Sequence, residues 1–228
     1  MNFNTKDILF EDNHLIVVNK GSGLLVQGDK TGDITLGEHI KKFLKKKYNK
    51  PGDAYLGIIH RIDRPTSGIV IFAKTSKALT RLNEQFKKRR INKKYWAITE
   101  KNSEAKSGKL ENWIFKNSKQ NKSYIYSNKI LGCKIAKLEY RLIKELKKYL
   151  LLEVELETGR HHQIRAQLSK IGFIIKGDLK YGSKRSNKDG SIDLHAYQVI
   201  FEHPVTKNII NVKAPLPKRE PWNSFLYD

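Results

Sequence analysis

The stretch HRIDRPTSG, residues 60–68, places one acid, Asp63, between Arg61 and Arg64 and just before a proline. A carboxylate in such a place has two kinds of work open to it. It can attack carbon as a nucleophile, or it can take a proton as a general base. Either role needs the ionised form and a fixed direction of approach. Pro65 restricts the backbone, Gly68 permits unusual dihedrals, and the Thr66 and Ser67 hydroxyls can hold a turn. Asp63 is therefore expected on a rigid loop leading into the apolar strand GIVIFAK, residues 68–74. Rigid loops are where catalytic groups tend to be mounted. The plainer reading is an aspartate that caps a turn.

A second segment, LETGRHHQIRAQL at residues 156–168, has the look of a strand, a Thr-Gly turn and a helix that begins near His162. Such a turn offers backbone N–H groups to anions. Arg160 lies in the turn and Arg165 in the first turns of the helix. His161 and His162 are adjacent, so their side chains are expected to point apart, and no nearby carboxylate completes a ligand set; no metal is expected. Basic residues number 45 and acidic ones 23, but the basic residues are mostly lysine. Four of the scarce arginines fall in these two segments. Arginine supplies a planar, always-charged fork that lysine lacks, so its concentration here suggests a task that needs the fork.

The net charge of +22 over 228 residues points to a polyanionic partner, nucleic acid before an acidic membrane surface. A lysine- and asparagine-rich genome bias is the alternative source of that charge. The runs KKFLKKKYNK (residues 41–50) and KKRRINKK (residues 87–94) are solvated faces or phosphate contacts. A hydrophobic share of 39% supports a packed core. The lone Cys133 excludes an internal disulfide and a cysteine metal cluster. No membrane-length apolar run and no signal-peptide layout is present, so a soluble cytoplasmic protein is expected. No phosphate loop or G-x-G-x-x-G segment is found, so no nucleotide cofactor is expected.

These residues need positioning elements. Strands are expected at residues 14–20, 68–74, 93–99, 136–143, 149–157, 193–202 and 209–213, with another over 109–115. Helices are expected at 34–48, with Ile40, Phe43 and Leu44 inward, after a Ser76 cap with Leu79, Leu82 and Phe86 inward, and at 162–171. Residues 136–143 and 149–157 read as antiparallel neighbours. Strands outnumber helices without regular alternation. The fold class is therefore α+β, a mixed and mostly antiparallel sheet flanked by helices, as a single domain over residues 1–228. Residues 100–134 are polar and weakly periodic and read as a mobile insert.

The two arginine-bearing segments together resemble the signature motifs of the RluA family of pseudouridine synthases. Further elements occur in the family's order: Lys93-Lys94-Tyr95-Trp96-Ala97 resembles K-x-Y-x-A, and residues 176–182 (KGDLKYG) resemble G-D-x-x-Y-G. Leu194-His195-Ala196 and Phe201-Glu202-His203-Pro204 resemble the late L-H-A and F-x-H-P elements. The resemblance runs from about Leu15 to Pro217. Departures are Ile62 where leucine is usual, Gly21 where proline is common, and His161 where threonine is common; the S4 RNA-binding domain of some members is not expected here.

The resemblance implies the pseudouridine synthase fold with a catalytic cleft across the sheet, no cofactor and no metal. It implies an isomerase that breaks the bond from ribose to uracil N1 and rejoins the sugar carbon to C5. It implies Asp63 as catalytic carboxylate, nucleophile or base, Arg165 as its partner, and Tyr95 as the ring that stacks on uracil. His60, Arg61, Arg64, Thr66, Arg160, His162 and Gln163 are the expected substrate-binding set, with His60, Arg61 or Arg64 filling the gap left by a flipped base. The implied partner is structured RNA, ribosomal (large-subunit first) or transfer, with the protein acting as a monomer. A non-catalytic basic RNA binder of the same fold is the alternative. A metal-dependent nuclease would need more converging carboxylates.

Overall fold

A computed structural model describes residues 3–29, 31–102 and 106–225. In chain order its strands are β1 (Ile8–Glu11), β2 (Leu15–Lys20), β3 (Gly57–Ile58), β4 (Ser67–Ala73), β5 (Asn92–Glu100) and β6 (Ser107–Asn117). Then come β7 (Lys122–Tyr126), β8 (Lys134–Glu145), β9 (Tyr149–Leu156), β10 (Leu194–Glu202) and β11 (Ile209–Lys213). The α-helices are α1 (Leu36–Lys47), α2 (Ser76–Lys87) and α3 (Gln163–Lys170). The chain forms two compact units, one of Met1–Ile91 with Ala196–Pro215, the other of Asn92–His195 with Leu216–Asp228.

In the first unit β2 and β4 run antiparallel, Leu15 opposite Ala73 and Lys20 opposite Gly68. Leu15, Ile16, Val17 and Val18 are all fully buried, so both faces of β2 are covered; a continuous apolar run is the pattern of such a strand. β1 pairs with β2, β3 with β4, and β10 with β11. Helix α1 starts at a capping box in which Thr35 and Glu38 satisfy each other's backbone N–H. It buries Leu36, Ile40 and Leu44, while Phe43 is only half-buried. The cap of α2 is Thr75 rather than Ser76, its hydroxyl accepting from the Ala78 amide. Threonine in extended conformation caps as serine does, and the helix simply starts one residue earlier, at Ser76. The F-x-H-P histidine is structural: His203 Nδ1 accepts from the Val205 and Thr206 amides, and Nε2 lies 2.8 Å from Asp12 Oδ2.

The second unit is an antiparallel sheet in the order β5-β9-β8-β6-β7. β8 alternates buried Ala136, Leu138 and Tyr140 with wetter residues, the mark of a sheet with one covered face. The stretch expected to be a mobile insert carries β6 and β7 as a hairpin, within the described residues 106–126. Ile114 is the one buried residue of β6, which is why the alternation is faint in the sequence. The segment from Arg219 to Trp222 is tied down at Asp193, fully buried. It accepts from Trp222 Nε1 at 2.9 Å and pairs with Arg219 at 2.5 Å and Lys176 at 3.3 Å. No described helix is long and apolar enough to cross a membrane.

Candidate active site

Asp63 belongs to the first unit; Tyr95 and Arg165 belong to the second. The Asp63 loop is closed by the Thr66 amide donating to the Asp63 carbonyl at 3.0 Å. It enters β4 through Gly68, at φ +111°, where a Cβ would lie 2.4 Å from the Ala196 carbonyl oxygen. Only glycine fits that crossing. Beneath the loop Lys20 is 1% exposed at the end of β2. Its ammonium donates to the carbonyls of Gly21 and Leu24, each at 3.0 Å, and of Arg64 at 3.1 Å. Burial pulls the Lys20 pKa down to about 7, Asp63 nearby opposes the fall, and Arg64 adds to it. Lysine supplies three donors, and this one joins the 21–24 turn to the Asp63 loop.

Arg64 is exposed, yet held: Nε donates to the Gly23 carbonyl at 3.0 Å and Nη2 meets Asp33 at 2.8 Å. Arg61 is exposed and reaches Gln27 at 3.4 Å. His60 turns inward, its Nε2 accepting from the Ile71 amide at 3.0 Å and its ring stacked on Phe86. That acceptor role places the proton of the neutral ring on Nδ1. Thr66 is 2% exposed. The outward-facing members of the expected set on this loop are thus Arg61 and Arg64, while His60 and Thr66 are packed into the unit.

In the second unit Tyr95 sits on β5 opposite Val154 and is 9% exposed. Lys93, two residues earlier and so on the same face of the strand, lies over the Thr158-Gly159 turn; a Cβ on Gly159 would stand 3.6 Å from its ammonium. Burial lowers the Lys93 pKa.

The turn into α3 is held by Gln163. Its Oε1 accepts from the Thr158 hydroxyl at 2.7 Å and the Arg160 amide at 3.0 Å, and its Nε2 donates to Lys137 O at 3.0 Å. Arg160 Nε donates to the Ile135 carbonyl at 2.9 Å. His162 takes a left-handed conformation, φ 52°. That bend brings the His161 and His162 rings into a stack at 3.8 Å, not apart as neighbouring residues usually point. Their nitrogens are engaged by Ser123 and Asn121 (His161) and by the Tyr181 hydroxyl (His162).

Arg165 is 5% exposed and grips Asp178, itself 1% exposed, by two bonds: Nε to Oδ2 at 2.7 Å and Nη2 to Oδ1 at 2.8 Å. The Tyr181 ring lies 5.0 Å from the guanidinium carbon. Asp178 and Tyr181 are the second and fifth positions of the G-D-x-x-Y-G element, whose sequence marks a loop without showing what it holds. The one signal Lys20 gave is its place at the end of an apolar strand, where a buried charge must be paired.

Residues 14–170 match the family model described as RNA pseudouridylate synthase. The chain is 32% identical to the ribosomal large subunit pseudouridine synthase C of Buchnera aphidicola subsp. Schizaphis graminum, over 92% of this chain and 67% of that protein. It is 33% identical to the ribosomal large subunit pseudouridine synthase D of Zymomonas mobilis, over 93% of this chain and 69% of that protein. The structure of human RNA pseudouridylate synthase domain containing 4 superposes with a TM-score of 0.78 at 24% identity, covering 94% of this chain and 90% of that one, a likeness of fold. The chain belongs to the RluA-type family of RNA pseudouridine synthases. It is an isomerase acting on uridines of RNA.

Proposed function

We propose that this enzyme converts specific uridines of large-subunit ribosomal RNA to pseudouridine, with Asp63 as the catalytic carboxylate and Arg165 and Tyr95 acting with it. The observation that carries this reading is the mounting of Asp63. Its loop is closed on itself, locked at Gly68 and strapped underneath by a buried ammonium. A turn-capping aspartate needs no such support, whereas a reacting carboxylate must be held within a fraction of an ångström.

The reaction conserves atoms. The bond between C1′ and N1 breaks, the base turns, C1′ bonds to C5, the C5 proton leaves, and N1 gains a proton. Asp63 serves either as nucleophile at the sugar or base, or as the base that takes a sugar proton as uracil departs. The Arg165 fork orients it. Tyr95 stacks on the uracil and assists removal of the C5 proton. Arg61 and Arg64, the outward-facing arginines of the loop, are the candidates to meet RNA phosphate or fill the vacancy left by the flipped base. The charge of +22 supplies sequence-independent phosphate affinity.

The ribosomal assignment follows the names of the relatives; transfer RNA is the second substrate considered. The test is carbodiimide primer extension on total RNA from cells lacking the gene, after incubation with purified protein. New stops confined to large-subunit ribosomal RNA are expected. Stops only in transfer RNA would overturn the substrate, and no stops despite tight binding would favour a non-catalytic RNA binder.

A further inference from the structure

The Arg165–Asp178 pair lies almost wholly away from water, with side chains 5% and 1% exposed. A buried ion pair is not an efficient stabiliser, because removing two charges from water costs about as much as their attraction returns. A fold that keeps one gains direction. Asp178 uses both oxygens, on the Nε and Nη2 edge of the guanidinium. This sets the plane of the fork and its rotation within that plane. A further carboxylate can then be met only by the other edge, formed by Nη1 and the outer proton of Nη2.

The Asp178 loop does not yield. The Asp178 amide donates to the Ile175 carbonyl, and the Tyr181 and Ser183 amides donate back to the Asp178 carbonyl. Gly177, at φ +85°, has no room for a Cβ, which would stand 2.7 Å from the Ser191 carbonyl oxygen. The guanidinium carbon sits over the Tyr181 ring, 5.0 Å from its centroid, where the ring quadrupole attracts the cation. The far end of that ring is pinned. Its hydroxyl accepts from the Ser123 amide at 2.8 Å and lies 3.0 Å from His162 Nδ1. Arg165 is thus set in plane by one residue and in height by another, on a helix whose first residue follows His162.

The charge balance matters too. An arginine on an RNA-binding protein is drawn to phosphate, and Asp178 neutralises Arg165, so it acts as a directed donor and not as a phosphate hook.

We propose that Asp178 and Tyr181 are positioning residues of the isomerase, fixing the Arg165 guanidinium so that its second edge orients the reacting carboxylate. This rests on reading Arg165 as the partner of a catalytic Asp63.

The experiment measures single-turnover tritium release from 5-tritiated total RNA of cells lacking the gene, with RNA affinity and thermal midpoint, for a set of variants. Asp178→Glu keeps the buried charge and moves it by one methylene. It is expected to fold and bind RNA as the wild type does, and to react about 10- to 100-fold more slowly. Asp178→Asn combined with Arg165→Lys is expected to lose little beyond Arg165→Lys alone, because both changes break one unit. Tyr181→Phe keeps the ring and loses the pin; its rate is expected to fall severalfold with affinity unchanged. An Asp178→Glu rate within about twofold of wild type, or losses that multiply in the double variant, would overturn the inference. A normal Tyr181→Phe rate would remove the part given to Tyr181. Turnover by Asp63→Asn would sink the underlying reading instead, so the two failures are told apart.

Discussion

The ammonium of Lys20 and the carbonyl of Arg64 lie 3.1 Å apart and tie the end of β2 to the loop that carries Asp63. Burial brings the Lys20 pKa from 10.5 down to about 7. The unfolded chain therefore binds more protons than the folded one between those values, and stability rises with pH across that window. The contribution is lost as pH falls through about 7. Lys20→Met has no such group and leaves the Gly21 and Leu24 carbonyls without its donors. Denaturant unfolding at about pH 7 and about pH 9.5 should show the wild type gaining up to about 3 kcal/mol on the variant. Turnover should fall as well, because the Asp63 loop loses one of its supports, although the Gly23 amide still donates to the Arg64 carbonyl. An unchanged gap between the two pH values would contradict the burial of a proton-binding lysine.

Gly68 makes an equally sharp claim. A methyl group there would stand 2.4 Å from one backbone atom of Ala196 and 2.5 Å from another, at a φ that L-residues avoid. Gly68→Ala should cost on the order of 3 kcal/mol or more, read as a lower thermal midpoint. A midpoint equal to wild type would mean that the loop and β10 lie farther apart.

Arg165→Lys keeps a cation and loses the two-point grip on Asp178. Single-turnover rate should drop about 100-fold or more, with RNA affinity within about twofold of wild type. A near-normal rate would remove the fork from the chemistry.

The lysine run of α1 divides into two sets. Lys47 pairs with Glu11 at 2.7 Å, and Lys45 approaches Asp53 at 3.7 Å. Burial alone would raise the Glu11 pKa, but hydrogen bonds from Lys47, Lys74 and Tyr48 bring it down to about 2. Lys46→Gln should therefore flatten the salt dependence of RNA affinity by about 0.7–0.9 in the log–log slope if it contacts phosphate. Lys47→Gln should instead lower stability near neutral pH and leave the slope alone. The reverse pattern would mean that Glu11 does not hold Lys47.

Much of this architecture was written where side-chain periodicity is strong. The buried strands β2 and β4 are unbroken apolar runs and β8 alternates, so these strands were readable in the chain, as was the antiparallel pairing of β8 with β9. Of the hairpin of β6 and β7 only a strand over 109–115 was legible; β7 was not, because its one buried residue is the polar Ser123. The stacking of His161 on His162 could not be foreseen either, since it depends on a left-handed backbone at a residue that is not glycine. At the site, the resemblance to the family's motifs singled out Asp63, Tyr95 and Arg165. It could not show that His60 and Gln163 spend their polar atoms inside the fold, nor that Arg165 is held by Asp178. These facts arise from how turns fold side chains back onto nearby backbone and neighbouring segments, which residue types alone do not show.

The central claim is that Asp63 carries the isomerisation. Forming the carbon–carbon bond expels the C5 hydrogen, so RNA labelled with tritium at that carbon reports each turnover. Wild type and Asp63→Asn should bind this RNA alike, since shape and nearly all charge are kept. Release of tritium by the wild type and none by Asp63→Asn is the predicted result. Release by Asp63→Asn at a rate comparable to wild type, in a preparation free of host enzyme, would contradict the account.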